Sequence, residues 1–292
     1  MRASAFRSCK TAGCLLTLLA VVGCGSDSEE SSSESAAPAQ SKAPANLVND
    51  GSLTVCTDPT YPPLEYYGPG KELDGFDIAV ARAAAEKLAL EAEFKPTTFS
   101  GILPALDSGR CDLAWSGLFI DDERTASFGA VPYQKTASVI LVKAGNPAGI
   151  HSPDDLSGKT VASQNGTNLL KKAKRISEGF AEQGKPASNV QGYDKFEEAI
   201  QQLVVGRADA VLTQDIDGAF RALKQPGQFE TAYKFPDEET FGAYYKPENA
   251  ADLGEKLHAA LDELEQSGEL KKIAEEEGMP ADGIGVEQPV GG

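Results

Sequence analysis

Apolar and polar positions along this chain fall into two recurring rhythms, which begin together after residue 46. Short apolar runs that predict strands lie at 53–57, 93–96, 112–116, 139–142, 160–162, 208–212 and 242–245. Between them the apolar positions recur at helical spacing. Ile78, Ala81, Ala85 and Leu88 share a face over 74–90, a short helix is predicted over 100–108, and Leu169, Ala173 and Ile176 align over 168–177. Asp194 with Glu197 forms a capping-box pattern ahead of a stripe made by Phe196, Ile200 and Leu203. A last helix carries Leu253, Leu257, Ala260, Leu261 and Leu264, and a loop at 147–153 separates two such α/β series. Strands alternating with helices predict an α/β fold with largely parallel sheets covered by helices. Sites in such sheets lie beyond the C-terminal strand ends. That rule directs attention to the segments after Thr57, Trp115 and Leu212.

The first 46 residues follow neither rhythm. Arg2, Arg7 and Lys10 make a basic start, 14–22 is an apolar run too short to span a bilayer, and Gly23 is a small residue suited to a cut. Val21-Val22-Gly23-Cys24 resembles a lipobox, the bacterial signal whose cysteine is diacylated and becomes the new N-terminus. The resemblance implies a lipoprotein signal peptide over 1–23, lipidation at Cys24 and attachment to the membrane; a plain secretory signal is the alternative. Residues 25–46 contain no aromatic or β-branched side chain, so 24–46 is expected to be a disordered tether. Such a coil reaches roughly 25 Å, and two acyl chains hold stably where one does not.

Charge narrows the function. The formal charge of −17, from 44 acidic and 27 basic residues, becomes −20 once the three basic residues of 1–23 are removed. Nucleic acid needs a basic face, so it is excluded as a partner. Only Cys24, Cys56 and Cys111 remain of the five cysteines. An exported chain could oxidise the last two. Counting along neighbouring strands, however, sets them several residues apart, beyond disulfide reach, and predicts free thiols. No metal is expected, since the only histidines are His151 and His258 and neither sits in a ligand pattern. No Gly-x-Ser-x-Gly elbow appears, and Gly158-Lys159-Thr160 has Pro153 where a phosphate loop requires glycine. No cofactor is implied, and the chain is not an ATPase.

A series of short motifs occurs in a telling order. They are 57–66 (TDPTYPPLEY), 73–77 (LDGFD), 99–106 (FSGILPAL), Ser116-Gly117 with Arg124 eight residues beyond the serine, Pro132-Tyr133, 155–159 (DLSGK) and 206–211 (GRADAV). Together they resemble the family 3 bacterial extracellular solute-binding proteins, the polar amino-acid receptors of ABC importers. The resemblance implies a two-lobed, type II clamshell with two hinge crossings. Lobe 1 would be 47–141 plus 242–285, lobe 2 would be 142–241, and 286–292 would be a flexible tail. It further implies a monomer that binds an amino acid or related zwitterion and delivers it to an ABC permease and its ATPase.

The same resemblance assigns residues. Arg124 would grip a ligand carboxylate through its planar guanidinium, with the Ser116 hydroxyl and the Gly117 amide adding hydrogen bonds. Thr167 and Asn168, at a helix start, would offer free N–H groups; ordinary capping is the competing reading. Tyr61 and Phe99 would wall the ligand side chain, while Asp58 and Gln164 would set specificity. Two positions depart from the family pattern. Phe119 stands where a serine or threonine is usual, and Gln214 stands where an aspartate pairs with the α-ammonium, leaving Asp215 or Asp217 as substitutes. Phe119, Tyr61 and Phe99 could instead form an aromatic face for a cationic nitrogen. The rival readings are a ligand sensor without transport and an enzyme resembling cyclohexadienyl dehydratases, for which Asp58, Asp215 or Glu239 would supply the acid.

Overall fold

The computed structural model describes residues 43–291. The expected signal peptide, Cys24 and nearly all of the expected tether therefore lie outside the described residues. The first lobe opens with β1 (Ser52–Thr57), β2 (Thr60–Tyr61), β3 (Glu65–Tyr67), β4 (Leu73–Asp74) and α1 (Phe76–Lys87). It continues with β5 (Glu91–Pro96), α2 (Ile102–Asp107), β6 (Leu113–Ala114) and α3 (Asp122–Thr125). The long strand β7 (Gly129–Lys143) leads to the second lobe, made of β8 (Thr160–Gln164), α4 (Asn168–Glu182), β9 (Asn189–Tyr193), α5 (Phe196–Val204), β10 (Ala210–Gln214) and α6 (Asp215–Lys224). An equally long β11 (Phe229–Tyr245) returns to α7 (Glu255–Gln266), α8 (Glu269–Glu276) and β12 (Val290–Gly291).

The principal sheet has the order β5-β1-β6-β11-β7-β10-β8-β9, and β2, β3 and β4 form a small sheet of their own. Parallel pairs sit at its two ends, β1 with β5 and β6, and β8 with β9 and β10. Between them β7 and β11 pair antiparallel from Gly129 opposite Tyr245 to Lys143 opposite Phe229. This ribbon carries the chain between lobes, and its register shifts between Lys234 and Glu238 and again between Phe241 and Gly242. The apolar pattern revealed only its ends, because Pro132, Lys135 and Pro236-Asp237-Glu238-Glu239 interrupt it. Ser138 already pairs with Gln214 of β10, so β7 joins the second lobe before the expected boundary at 141.

Packing follows the helical stripes. Helix α1 buries Ile78, Val80, Ala81, Ala84 and Ala85, and α7 buries Leu257, Ala260, Leu261 and Leu264. Each large apolar side chain so placed contributes about 1.5–3 kcal/mol. Gly75 precedes α1 at φ 112, and a Cβ there would meet Leu64 O at 2.4 Å. That close approach sets Asp77, in the first turn, deep inside the lobe.

Three expectations are corrected. Helix α5 starts at Phe196 with Lys195 as its cap residue, because the Asp194 carboxylate accepts from Asn165 Nδ2 and Glu197 pairs with Arg221. Cys56 and Cys111 are joined by a disulfide with Cα atoms 5.8 Å apart. The strand-counting argument fails because Cys111 precedes β6, in the turn from α2, where both cysteines pack with Ile102, Ala105 and Leu106. Residues beyond 286, expected to form a free tail, run beside β7: Glu287 N–H donates to Pro132 O, and Val290 pairs with Ala130.

Candidate functional site

The ends of β1, β6, β8 and β10 converge on one crevice between the lobes. The first lobe lines it with Asp58, Tyr61, Glu65, Phe99, Ser116, Gly117, Phe119 and Arg124. The second contributes Ser163, Gln164, Thr167, Asn168, Leu169, Phe196 and Gln214. Eleven of the twelve expected ligand-binding residues therefore share one site. Asp215 does not. The chain turns into α6 after Gln214, sending the next side chain away, where Asp215 accepts from Thr136 Oγ1 at 2.8 Å, Ala137 N–H at 3.2 Å and Lys234 Nζ at 2.6 Å. Asp217 is fully buried behind Thr213 and paired with Arg221 at 2.7 Å, so it is no substitute.

Arg124 is 8% exposed. Its Nη1 donates to Phe119 O at 2.6 Å, and Nε lies 3.5 Å from the Asp121 carboxylate, so one edge of the guanidinium is held by protein. Tyr244 OH donates to the same Phe119 carbonyl at 2.6 Å. Phe119 itself stacks on Phe241 with centroids 5.3 Å apart, which explains an aromatic side chain where a hydroxyl was expected. Two assigned roles change. The Gly117 N–H donates to Asp77 Oδ2 at 2.9 Å instead of facing a ligand. Ser116 accepts from Asp58 N–H at 3.0 Å and donates to Glu65 at 2.9 Å, so its hydroxyl is already engaged. Thr167 caps α4 by accepting from Leu170 N–H, while Asn168 begins that helix.

Several contacts cross directly between lobes. Gln164 Nε2 donates to Asp58 Oδ2 at 2.6 Å, and Asn168 Nδ2 donates to Asp121 Oδ2 at 2.8 Å. Tyr61 OH lies 3.1 Å from Thr213 Oγ1, and its ring meets Phe196 edge-on at 4.6 Å. Gly166, at φ 82, presses against lobe 1 so closely that a Cβ would lie 3.0 Å from Ser100 Cα. The clamshell is closed. Burial raises the Asp58 carboxyl above its ordinary value, opposed by donation from Gln164 and from Phe99 N–H. The Oε1 of Gln214 and the Oδ1 of Asn168 are buried with no hydrogen-bond partner among the described residues.

Crevice, closure and crossing ribbon together specify a protein that encloses a small solute. Residues 53–277 match the family model described as bacterial extracellular solute-binding proteins, family 3. The chain belongs to this family. It is similar to the L-cystine-binding protein TcyJ of Escherichia coli (strain K12), 32% identical over 228 residues that cover 77% of this chain and 82% of TcyJ. Among solved structures it resembles an ancestral arginine-binding protein bound to arginine, with TM-score 0.71, 34% identity and coverage of 77% and 97%. It also resembles the ancestral amino acid-binding protein AncCDT-1, a precursor of cyclohexadienyl dehydratase, with TM-score 0.69, 30% identity and coverage of 77% and 95%.

Four wall residues escaped the sequence reading as site residues: Glu65, Ser163, Leu169 and Phe196, with Leu169 read only as part of a helical stripe. Glu65 sits inside a quoted motif, but nothing in a Leu-Glu-Tyr triplet says that the carboxyl is 1% exposed. Phe196 read as part of a helical stripe, and its ring faces Tyr61 across the lobes. Ser163 falls one residue past the expected strand at 160–162, where the rule that sites lie beyond strand ends could have flagged it. Of the three acids named for the enzymatic reading, only Asp58 lines the crevice; Glu239 accepts from Ser138 Oγ and Lys172 Nζ elsewhere.

Proposed function

We propose that the chain is the membrane-anchored, extracytoplasmic substrate-binding component of an ABC importer for an α-amino acid with a polar or cationic side chain. The observation that carries the reading is the placement of Arg124 on one lobe and the unpartnered Gln214 Oε1 on the other, facing a single closed crevice. The free edge of Arg124 suits a carboxylate, and Gln214 Oε1 accepts from an α-ammonium without supplying charge. Asp58, set among Tyr61, Phe99 and Phe196, offers a carboxylate inside an aromatic wall, a combination that favours a cationic or strongly hydrogen-bonding side chain.

The ligands for which relatives are named, cystine and arginine, fall in that class. A ligand touching both lobes favours the closed arrangement by its differential affinity. Cys24, lipidated, would keep the receptor near its permease through a tether reaching roughly 25 Å, and the Cys56–Cys111 disulfide suits an oxidising compartment. The test is calorimetric titration of purified residues 43–292 with the proteinogenic amino acids, cystine and quaternary-ammonium zwitterions. Binding of a primary α-amino acid with micromolar or tighter Kd is expected. Binding of none, or preference for a quaternary zwitterion, refutes it. Phenylalanine or phenylpyruvate formation from a cyclohexadienyl acid would establish the enzymatic alternative.

A further inference from the structure

Beneath the crevice floor two carboxyl groups meet without a cation. Glu65 is 1% exposed and Asp77 is 1% exposed, and they come from different elements, β3 and α1. No lysine or arginine among the described residues forms an ion pair with either. Asp77 receives Gly117 N–H at 2.9 Å and Tyr133 OH at 2.9 Å, so it is surrounded by donors, as an ionised carboxylate requires. Glu65 Oε1 accepts the Ser116 hydroxyl at 2.9 Å, while Oε2 has no donor aimed at it. The two carboxyls hold successive residues of one strand end, Ser116 and Gly117, and so lie side by side in the interior. Two neighbouring buried carboxyls with no cation cannot both ionise; one must carry a proton.

We propose that Glu65 is a positioning residue of the ligand site, which carries the single proton of the Glu65–Asp77 pair and braces the 116–119 wall from below. The proton sits on Glu65, because Asp77 already receives the Gly117 and Tyr133 donors and is the better placed to stay ionised. Glu65 holds the Ser116 hydroxyl and Asp77 fixes the Gly117 amide, so the segment that ends at Phe119 and Arg124 is tied at two successive residues. The arrangement also leaves the buried floor with one negative charge instead of two, which spares an incoming carboxylate a second repulsion.

The surroundings favour the protonated pair. Asp58 faces it from the end of β1, Tyr61 from β2 and Tyr133 from β7, and none is cationic. Arg124, in the same crevice, is committed to Phe119 O and Asp121. Burial pushes Glu65 well above the usual carboxylate range, with the Asp77 charge adding to it. Asp77 is raised by burial only to about 6, because the Gly117 and Tyr133 donors oppose the rise.

Part of this proposal, the effect on affinity, rests on the amino-acid reading; the proton itself does not. Infrared difference spectra of ligand-free wild type against Glu65→Gln at neutral pH should show the carbonyl stretch of a protonated carboxyl in wild type and its loss in the variant. The fold holds a proton that the unfolded chain has released, so wild-type stability should fall as pH rises above the ordinary glutamate range, and Glu65→Gln should flatten that slope. With L-arginine as the probe, Glu65→Ala should weaken binding about tenfold or more, and Glu65→Gln, whose neutral amide can still accept from Ser116, should recover most of it. An unchanged carbonyl band, or an unchanged pH slope in Glu65→Gln, overturns the proton on Glu65. Equal loss of affinity in both variants overturns the brace. If wild type binds no amino acid, the functional reading fails while the infrared and stability measurements still decide the proton.

Discussion

Replacing Arg124 with alanine tests the site most directly. The side chain is 8% exposed, and its guanidinium is oriented by Phe119 O at 2.6 Å and by Asp121. A ligand carboxylate in a crevice this enclosed, left without its counter-charge, costs about 3–5 kcal/mol, a loss of roughly 150-fold to 5,000-fold in Kd. The scaffold should survive. Phe119 O keeps the Tyr244 hydroxyl at 2.6 Å, and Asp121 still caps α3 by accepting the backbone N–H of residue 124. Ligand-free Tm should therefore shift by only a degree or two, which separates lost binding from lost folding. Arg124→Lys should recover part of the affinity, since it restores charge without the paired donors. Calorimetric titration of the three proteins with the tightest amino acid from the screen gives the answer. A change below about tenfold for Arg124→Ala, with Tm unchanged, would mean the guanidinium does not hold the carboxylate, and the ligand orientation argued above would be wrong.

Four further outcomes are expected. Reducing the Cys56–Cys111 disulfide, which closes a sequence separation of 55 residues, should cost about 4 kcal/mol on the chain-entropy model and lower Tm by about 10 °C, read by scanning calorimetry with and without reductant. Gly166→Ala should weaken binding while leaving the separate lobes intact, because a Cβ there meets Ser100 at 3.0 Å on closure; small-angle scattering with ligand should report a more open particle. Gln214→Asp should tighten binding of primary α-amino acids about tenfold, since a charged acceptor is roughly twice as strong as a neutral one, and no change in Kd would place the ammonium elsewhere. Arg221→Ala should destabilise the second lobe by about 3–5 kcal/mol in urea titration, because Asp217 is 0% exposed and would lose its partner.

Much of the fold was legible because strands and helices obey different periods, and the short parallel strands at 53–57, 160–162 and 208–212 matched closely. The long antiparallel ribbon was not, for a physical reason. On β11 its middle is open to water, so Pro236 and the acidic residues after it erase the apolar signal that a buried strand carries. The crevice lining was legible where chemistry is stated by residue type, as with Arg124, Asp58 and Gln164, all of which line it. It was illegible where placement depends on depth. Glu65 and Asp77 look like any surface acids in a chain with 44 of them, and only packing around Gly75 and Tyr133 makes them a pair. Asp215 failed for the opposite reason: its chemistry suited the role, but one residue of chain turn sent it to the far side. The cysteine expectation failed because a turn was counted as if it were a strand.

The β7–β11 ribbon has a mechanical consequence. Two strands hydrogen-bonded along 129–143 and 229–245 resist stretching and sideways slip, yet yield readily to torsion. The register shifts beside Glu238 and Gly242 concentrate that compliance at one place. Relative motion of the lobes is thus reduced to nearly one coordinate, an angle. On the proposed reading, a solute held between Arg124 and the start of α4 would be reported to the outside as that angle. A partner gripping both lobes at once can measure what is inside without ever touching it.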